Sequence, residues 1–358
     1  MRTAVVACGT AAVALAANTA GMQAGKATLK SAGQMAFGPN GVLFVGDSLG
    51  ASIVALDSGD TAKAKPGGTI EIKALNEKIA AALGTTADQI TINDMVVNPT
   101  SKRVYVSVTR GRGADAVAVI MRTDASGKLT ELSLDNIKHA TVAIPNAPAE
   151  NATDARAASR RLEAITDLAY VDGKVIVAGL SNEEFSSTLR SIPYPFQAVD
   201  KGAGIEIYHG AHGRFETNAP VRTFVPYDIA GQKHILAAYT CTPLVRIPVS
   251  ELKAGAKVKG TTIAELGNRN RPLDMIAYSK DKGQYILMAN SSRGVMKLKA
   301  EGLEKYEPIV AKTEGQGVPF ETIADLKGVQ QLDKLDDTHA VLLTDAGGSL
   351  DLRTIALP

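Results

Sequence analysis

One phrase recurs along this chain and constrains its fold more than any other feature. At residues 35–48 it reads MAFGPNGVLFVGDS: an apolar strand, a Gly-Pro-Asn-Gly turn, a second apolar run and a polar tip. The same order returns at 91–110 (TINDMVVNPTSKRVYVSVTR), 164–182 (AITDLAYVDGKVIVAGLSN), 225–241 (VPYDIAGQKHILAAYTC) and 271–292 (RPLDMIAYSKDKGQYILMANSS). A weaker copy, VQQLDKLDDTHAVLLTDAGG, occupies 329–348. Asn and Gly reach the positive φ that tight hairpin turns demand, so Asn40-Gly41 and Asp172-Gly173 mark turns with a mechanism behind them.

The second strands, such as VLFVG, VYVSV and VIVAG, are apolar nearly throughout, as in strands covered on both faces. A third strand follows each tip (SIVALD, AVAVIMRT, PLVRIPV, GVMKLK, SLDLRTIAL), and a fourth often precedes the next copy. A small antiparallel sheet cannot bury both faces alone. Stacked around an axis, several can, and only short edges remain. The expectation is therefore an all-β chain forming one six-bladed β-propeller of four-stranded antiparallel blades. Seven blades stays open if the tract 183–224 holds another. The domain is expected over 26–358, with the N-terminal segment ATLKSAG pairing with the last blade to close the ring.

The insertions 73–84 (KALNEKIAAALG) and 147–162 (APAENATDARAASRRL) read as short helices on one loop face, the first carrying Leu75, Ile79 and Leu83 at four-residue spacing. Phe185, Tyr194 and Phe196 cluster in 181–199 and suggest a docking surface or pocket wall. The first twenty residues carry one Arg, an apolar run from Ala4 to Ala16 and small residues near Ala20, the pattern of a cleaved signal peptide. A periplasmic or secreted location follows from it as an expectation. The run is too short to span a membrane. Thirty-nine basic residues against 37 acidic give a net charge of +2, with no basic stripe for nucleic acid.

The phrase at 35–48 resembles the blade signature of NHL-repeat and gluconolactonase-type propellers, and VVNPTSKRVYVSV is similar to the YVTN type. The resemblance implies that the lead-in to each innermost strand and the tip after each second strand share one face, where ligands bind around the central opening. On that mapping the lead-ins are Gln34, Asp94, Asp167, Asp228, Asp274 and Gln331. The tips supply Asp47, Arg110, Asn182, Cys241, Asn290, Arg293 and Asp345.

A ring of carboxylates and amides suits a hard cation such as Ca²⁺ or Mg²⁺. Asp94, Asp167, Asp274 and Asn290 are the candidate ligands. The competing reading is that these Asp residues bond backbone N–H groups and hold blades in register. Gluconolactonase-type enzymes carry an acidic metal ligand at the first lead-in, and this chain has Gln34 there. His209 and His212 could chelate jointly only with a turn at Gly210, and Cys241 reads as a buried structural thiol. No catalytic motif emerges. The expectation is a binding protein for a protein partner or small ligand, with a metal-dependent, lactonase-like hydrolase as the alternative.

Overall fold

The structure, a computed structural model, describes residues 19–64, 67–124 and 126–358. Residues 1–18 of the expected signal segment lie outside the described residues. The chain forms a six-bladed β-propeller whose blades are antiparallel sheets, except that Lys257–Lys259 pairs in parallel with the fourth strand of blade 3. Numbered by the order of their innermost strands, blade 1 contains Met35–Phe37, Val42–Asp47, Ser52–Asp57 and Ile137–Ala143. Blade 2 contains Ile90–Val97, Val104–Arg110, Val117–Thr123 and Leu129–Glu131. Blade 3 contains Asp167–Val171, Lys174–Leu180, Ser187–Pro193 and Ala203–His209, extended by Arg214–Glu216.

Blade 4 contains Thr223–Ile229, Gln232–Ala238, Pro243–Pro248 and Thr261–Glu265, with Gln316–Gly317 added at its outer edge. Blade 5 contains Pro272–Lys280, Gly283–Asn290, Gly294–Lys299 and Phe320–Ile323. Blade 6 contains Val329–Lys334, His339–Asp345, Leu350–Ala356 and Glu71–Ile72. The tract 183–224 that left a seventh blade open supplies the outer strands of blade 3.

Six apolar clusters hold the ring together, one at each blade-to-blade junction, and they fix the order of blades around the axis. Val106 and Ile72 pack with Leu343, joining blades 2 and 6. Leu43 packs with Tyr105, joining blades 1 and 2, and Phe44 packs with Val177, joining blades 1 and 3. The remaining clusters join 3 to 4, 4 to 5 and 5 to 6. Around the axis the blades therefore run 2, 1, 3, 4, 5, 6 and back to 2.

The chain steps backward once, and this changes how the ring closes. After three strands of blade 1 it gives Glu71–Ile72 to the outer edge of blade 6, with Ile72 opposite Leu352. It then builds all of blade 2, returns to lay Ile137–Ala143 against Ser52–Leu56, and only then continues to blade 3. Closure by the segment before residue 33 is thus corrected: Gln23–Gly25 pairs with Ile137–His139 as a fifth strand of blade 1. Burial decides the assignment. Ile72 is 1% exposed between blades 2 and 6, whereas Gln23 and Ala24 are exposed.

The helix expected at 73–84 forms over Leu75–Ala82 (α1), its Leu75 and Ile79 buried at the same junction. The second expected helix does not form. Residues 147–162 hold a Thr153–Ser159 bridge and one short turn, Arg161–Glu163. The three aromatics do not form one surface: Tyr194, 8% exposed, packs edge-on against Phe44 of blade 1 with Phe196 tilted beside them, whereas Phe185 stands apart under the Lys257 ammonium.

Candidate functional site

Four innermost strands place an aspartate on the channel wall, and each one joins two blades. Asp167 of blade 3 accepts the N–H of Leu168 at 2.7 Å and, through its other oxygen, the N–H of Phe224 in blade 4 at 2.7 Å. Asp274 of blade 5 accepts from Met275 at 2.7 Å and from Leu332 of blade 6 at 2.9 Å. Asp333 of blade 6 accepts from Lys334 at 2.6 Å and from Val97 of blade 2 at 2.7 Å. Asp94 of blade 2 accepts from Met35 of blade 1 at 2.6 Å. Every bond points the same way round the ring, 6 to 2, 2 to 1, 3 to 4 and 5 to 6.

These carboxylates are half-buried and share one space. Removal from water disfavours their charged forms, and Asp94 and Asp274 also feel the charge of the others across the channel. Burial, then repulsion from Asp167 and Asp333, holds Asp94 well above the usual carboxylate range. Burial, then repulsion from Asp94, Asp167 and Asp333, does the same to Asp274. Burial outweighs the backbone hydrogen bonds at Asp167, pushed up to about 7, and at Asp333, pushed up to about 6.

The four aspartates line a cavity of about 1590 Å³ that follows the innermost strands toward the turns between first and second strands. Its apolar wall includes Met35, Phe37, Leu168, Tyr170, Val225 and Ile276. Its mouth carries Lys63, Lys102, Arg103 and Lys334 beside Asp124, Asp336 and Asp337. His339 also lines it, with Nδ1 3.0 Å from Asp336 Oδ1. The cavity therefore faces the side opposite the one implied by the resemblance. On the lead-in side, Gln331 Nε2 donates to the Asn93 carbonyl and Asn93 Nδ2 to the Ala32 carbonyl, both at 2.8 Å, drawing blades 6, 2 and 1 together.

Of the residues singled out in the sequence, Asp94, Asp167 and Asp274 come together in this cavity. The others stand outside its lining. Asp47 is buried and accepts from the N–H groups of Lys30, Ser31 and Gly50, each at 2.8 Å. Asp345 caps a similar turn through Gly348. Asp228 lies near a hairpin turn and pairs with Lys233 at 2.8 Å. Arg110 donates to the Leu83 carbonyl, and Arg293 to the Asn268 carbonyl. Asn182 is exposed, with its backbone N–H on the Asn146 carbonyl. The Asn290 amide serves Asn270, Met288 and Gly294, so it does not join the three aspartates as a fourth ligand.

Asp333 was missed because the last copy was aligned on Gln331. The signal was present: Leu332-Asp333 repeats Leu273-Asp274.

Among the described residues, the group of three His, Cys, Asp or Glu side chains whose ligand atoms lie within 4.8 Å of one another is His209, His212 and Cys241. It sits outside the cavity, where the fourth strand of blade 3 meets the tip of blade 4.

No family model matches the chain, and no curated protein matches it in sequence. Solved structures similar in fold share little sequence with it. The PQQ-bound aldose sugar dehydrogenase of Streptomyces coelicolor is 12% identical over 93% of this chain and 96% of that one, with a TM-score of 0.33. Drosophila Plexin A in complex with Semaphorin 1b is 8% identical over 93% and 86%, with a TM-score of 0.41. An engineered GH43 glycoside hydrolase with endo-xylanase and exo-arabinofuranosidase activity is 12% identical over 75% and 51%, with a TM-score of 0.37.

Proposed function

We propose that this chain is an exported binding protein whose central cavity takes a small organic cation. The observation that carries the reading is the convergence of Asp94, Asp167, Asp274 and Asp333 on one half-enclosed space with raised proton affinity. Each carboxylate oxygen bonded to one backbone N–H keeps a second lone pair for a ligand. A cation among the four relieves their mutual repulsion, and the apolar wall suits the carbon skeleton of an amine. Export rests on the apolar run and small residues of the first twenty positions. N-terminal sequencing of the protein recovered from the periplasm or medium is expected to begin near Ala20. Absence of the chain from the periplasm and medium would count against export, and an intact Met1 there against cleavage.

A second reading, a divalent-metal hydrolase similar to gluconolactonase-type propellers, draws on Asp94, Asp167 and Asp274 facing the same cavity. One titration series separates the two. Spermidine, CaCl2 and a neutral sugar are each added at pH 7 and followed by thermal unfolding and calorimetry. Saturation with spermidine is expected to stabilise the fold by about 2.7 kcal/mol at a hundredfold excess over Kd and to release protons on binding. Asp167→Asn with Asp274→Asn is expected to abolish the response. Stabilisation by CaCl2 alone would transfer the proposal to the metal reading, and no response to either cation would overturn both.

A further inference from the structure

His209 ends the fourth strand of blade 3, and the chain then folds back through Gly210–Gly213. The N–H groups of His212 and Gly213 donate to the His209 carbonyl at 3.1 and 2.8 Å. This is the turn that joint use of the two histidines requires, and it brings their ring centres to 3.8 Å. Glu216, on the returning strand, takes both imidazoles. Its Oε2 lies 2.9 Å from His209 Nδ1 and its Oε1 lies 2.7 Å from His212 Nδ1. Arg214 Nε donates to the same Oε1 at 3.1 Å.

Two imidazole nitrogens and the Arg214 guanidinium converge on the two oxygens of Glu216, a set of partners that suits a carboxylate accepting from all three. An ionised carboxylate only accepts. Each neutral imidazole therefore carries its proton on Nδ1 and keeps a lone pair on Nε2. Nε2 of His209 is buried, and among the described residues it has no hydrogen-bond partner. His209 as a whole is 2% exposed, so this is a polar atom enclosed and unsatisfied, a state that costs free energy unless something occupies the position. The thiol of Cys241 completes the group from blade 4, with one ligand atom of each residue inside 4.8 Å of the others.

We propose that His209, His212 and Cys241 bind one borderline-soft transition-metal ion, Zn²⁺ or Cu²⁺, with Glu216 as the positioning residue for both imidazoles. Two imidazoles and a thiolate match the preferences of these ions and not those of Ca²⁺ or Mg²⁺. A carboxylate on the far nitrogen of a ligating histidine is the usual device that fixes tautomer and ring direction. Tetrahedral bonds of about 2.0 Å to nitrogen and 2.3 Å to sulfur set donors roughly 3.3–3.5 Å apart, inside the 4.8 Å within which the three ligand atoms already lie.

Glu265 stands against the same turn. Its Oε1 accepts the Gly210 N–H at 2.5 Å, and its Oε2 is buried and without a partner among the described residues. A Cβ on Gly210 would lie 2.8 Å from Glu265 Cγ, which accounts for glycine between the two histidines. The fourth coordination position is left to water.

The test uses the full chain, reduced and stripped with a chelator, and titrated with ZnCl2 against a chromophoric indicator. One Zn²⁺ per chain is expected, with uptake lost in Cys241→Ser and in His212→Ala. The His212 side chain is 44% exposed, so its removal leaves the core in place, and circular dichroism verifies the fold of each variant. Glu216→Gln is expected to weaken binding about 10–100-fold. Protein loaded with Co²⁺ or Cu²⁺ is expected to show a thiolate-to-metal charge-transfer band that Cys241→Ser lacks. Folded wild-type chain that takes up no stoichiometric Zn²⁺ or Cu²⁺ would overturn the proposal. So would uptake undiminished in both Cys241→Ser and His212→Ala.

Discussion

At the scale of the residue, the aspartates of the channel do two jobs whose energetics oppose each other. As acceptors for backbone N–H groups they join blades; as charges they repel one another in a half-enclosed space. The balance depends on pH. The folded-state pKa of Asp167 is raised from 3.8 to about 7, so between about pH 4 and 7 the folded chain holds a proton that the unfolded chain has released. Its contribution to stability is therefore fully present below about pH 4 and is lost as pH rises through 7. Asp333, raised to about 6, loses its contribution over a lower window.

Asp167→Ala strands the N–H groups of Leu168 and Phe224 but also removes the charge. It is expected to destabilise by about 1–3 kcal/mol at pH 5 and by clearly less at pH 8, measured by urea unfolding at both pH values. A cost that grows toward pH 8 would show that the charge is stabilising where it stands. Asp94, Asp167 and Asp274 were legible because the phrase repeats around them. Asp228 was misjudged for a reason of register: it pairs with Lys233 close to the turn at Ala230-Gly231, so its side chain leaves the channel for solvent.

At the scale of the element, hairpins were legible and partners were not. Turn residues and apolar runs are local signals, and the third strands such as Ser52–Asp57 and Gly294–Lys299 lie where the pattern put them. A two-residue strand such as Glu71–Ile72 carries no period to detect. Its few backbone bonds are supplemented by side-chain burial, about 1.5–3 kcal/mol for a residue such as Ile72. The N–H groups of Ile70 and Thr354 also exchange with each other's segment.

Residues 147–162 show the opposite error. Their alanines favour helix, yet Asp154 accepts the N–H groups of Arg156 and Ala158 in a local turn that competes with helical bonds. The same competition explains why a short polar side chain outweighs propensity there.

At the scale of the whole molecule, the backward step makes the ring depend on contacts between distant parts of the sequence. Blade 1 lacks its fourth strand until Ile137–Ala143 is present, and blade 6 takes its fourth strand from residues 71–72. Nothing local in the sequence announces this, because the junctions are built of similar apolar side chains and any order of blades would bury them. The sense of the aspartate bonds does register it, since Asp333 reaches Val97 of blade 2 and Asp94 reaches Met35 of blade 1.

Removing blade 6 would uncover Ile70, Ile72, Leu75 and Ile79 on one side and Ile276, Leu287 and Val295 of blade 5 on the other. A chain ending at residue 327 is therefore expected to lose its cooperative thermal transition by circular dichroism and to bind a hydrophobic dye. A chain beginning at residue 27 gives up only the exposed strand Gln23–Gly25 and is expected to keep a sharp transition. If the shortened C-terminal chain unfolds as sharply as the full one, closure through Glu71–Ile72 is not what holds the ring. In that case the junctions of blade 2 with 1, 1 with 3, 3 with 4 and 4 with 5 suffice on their own.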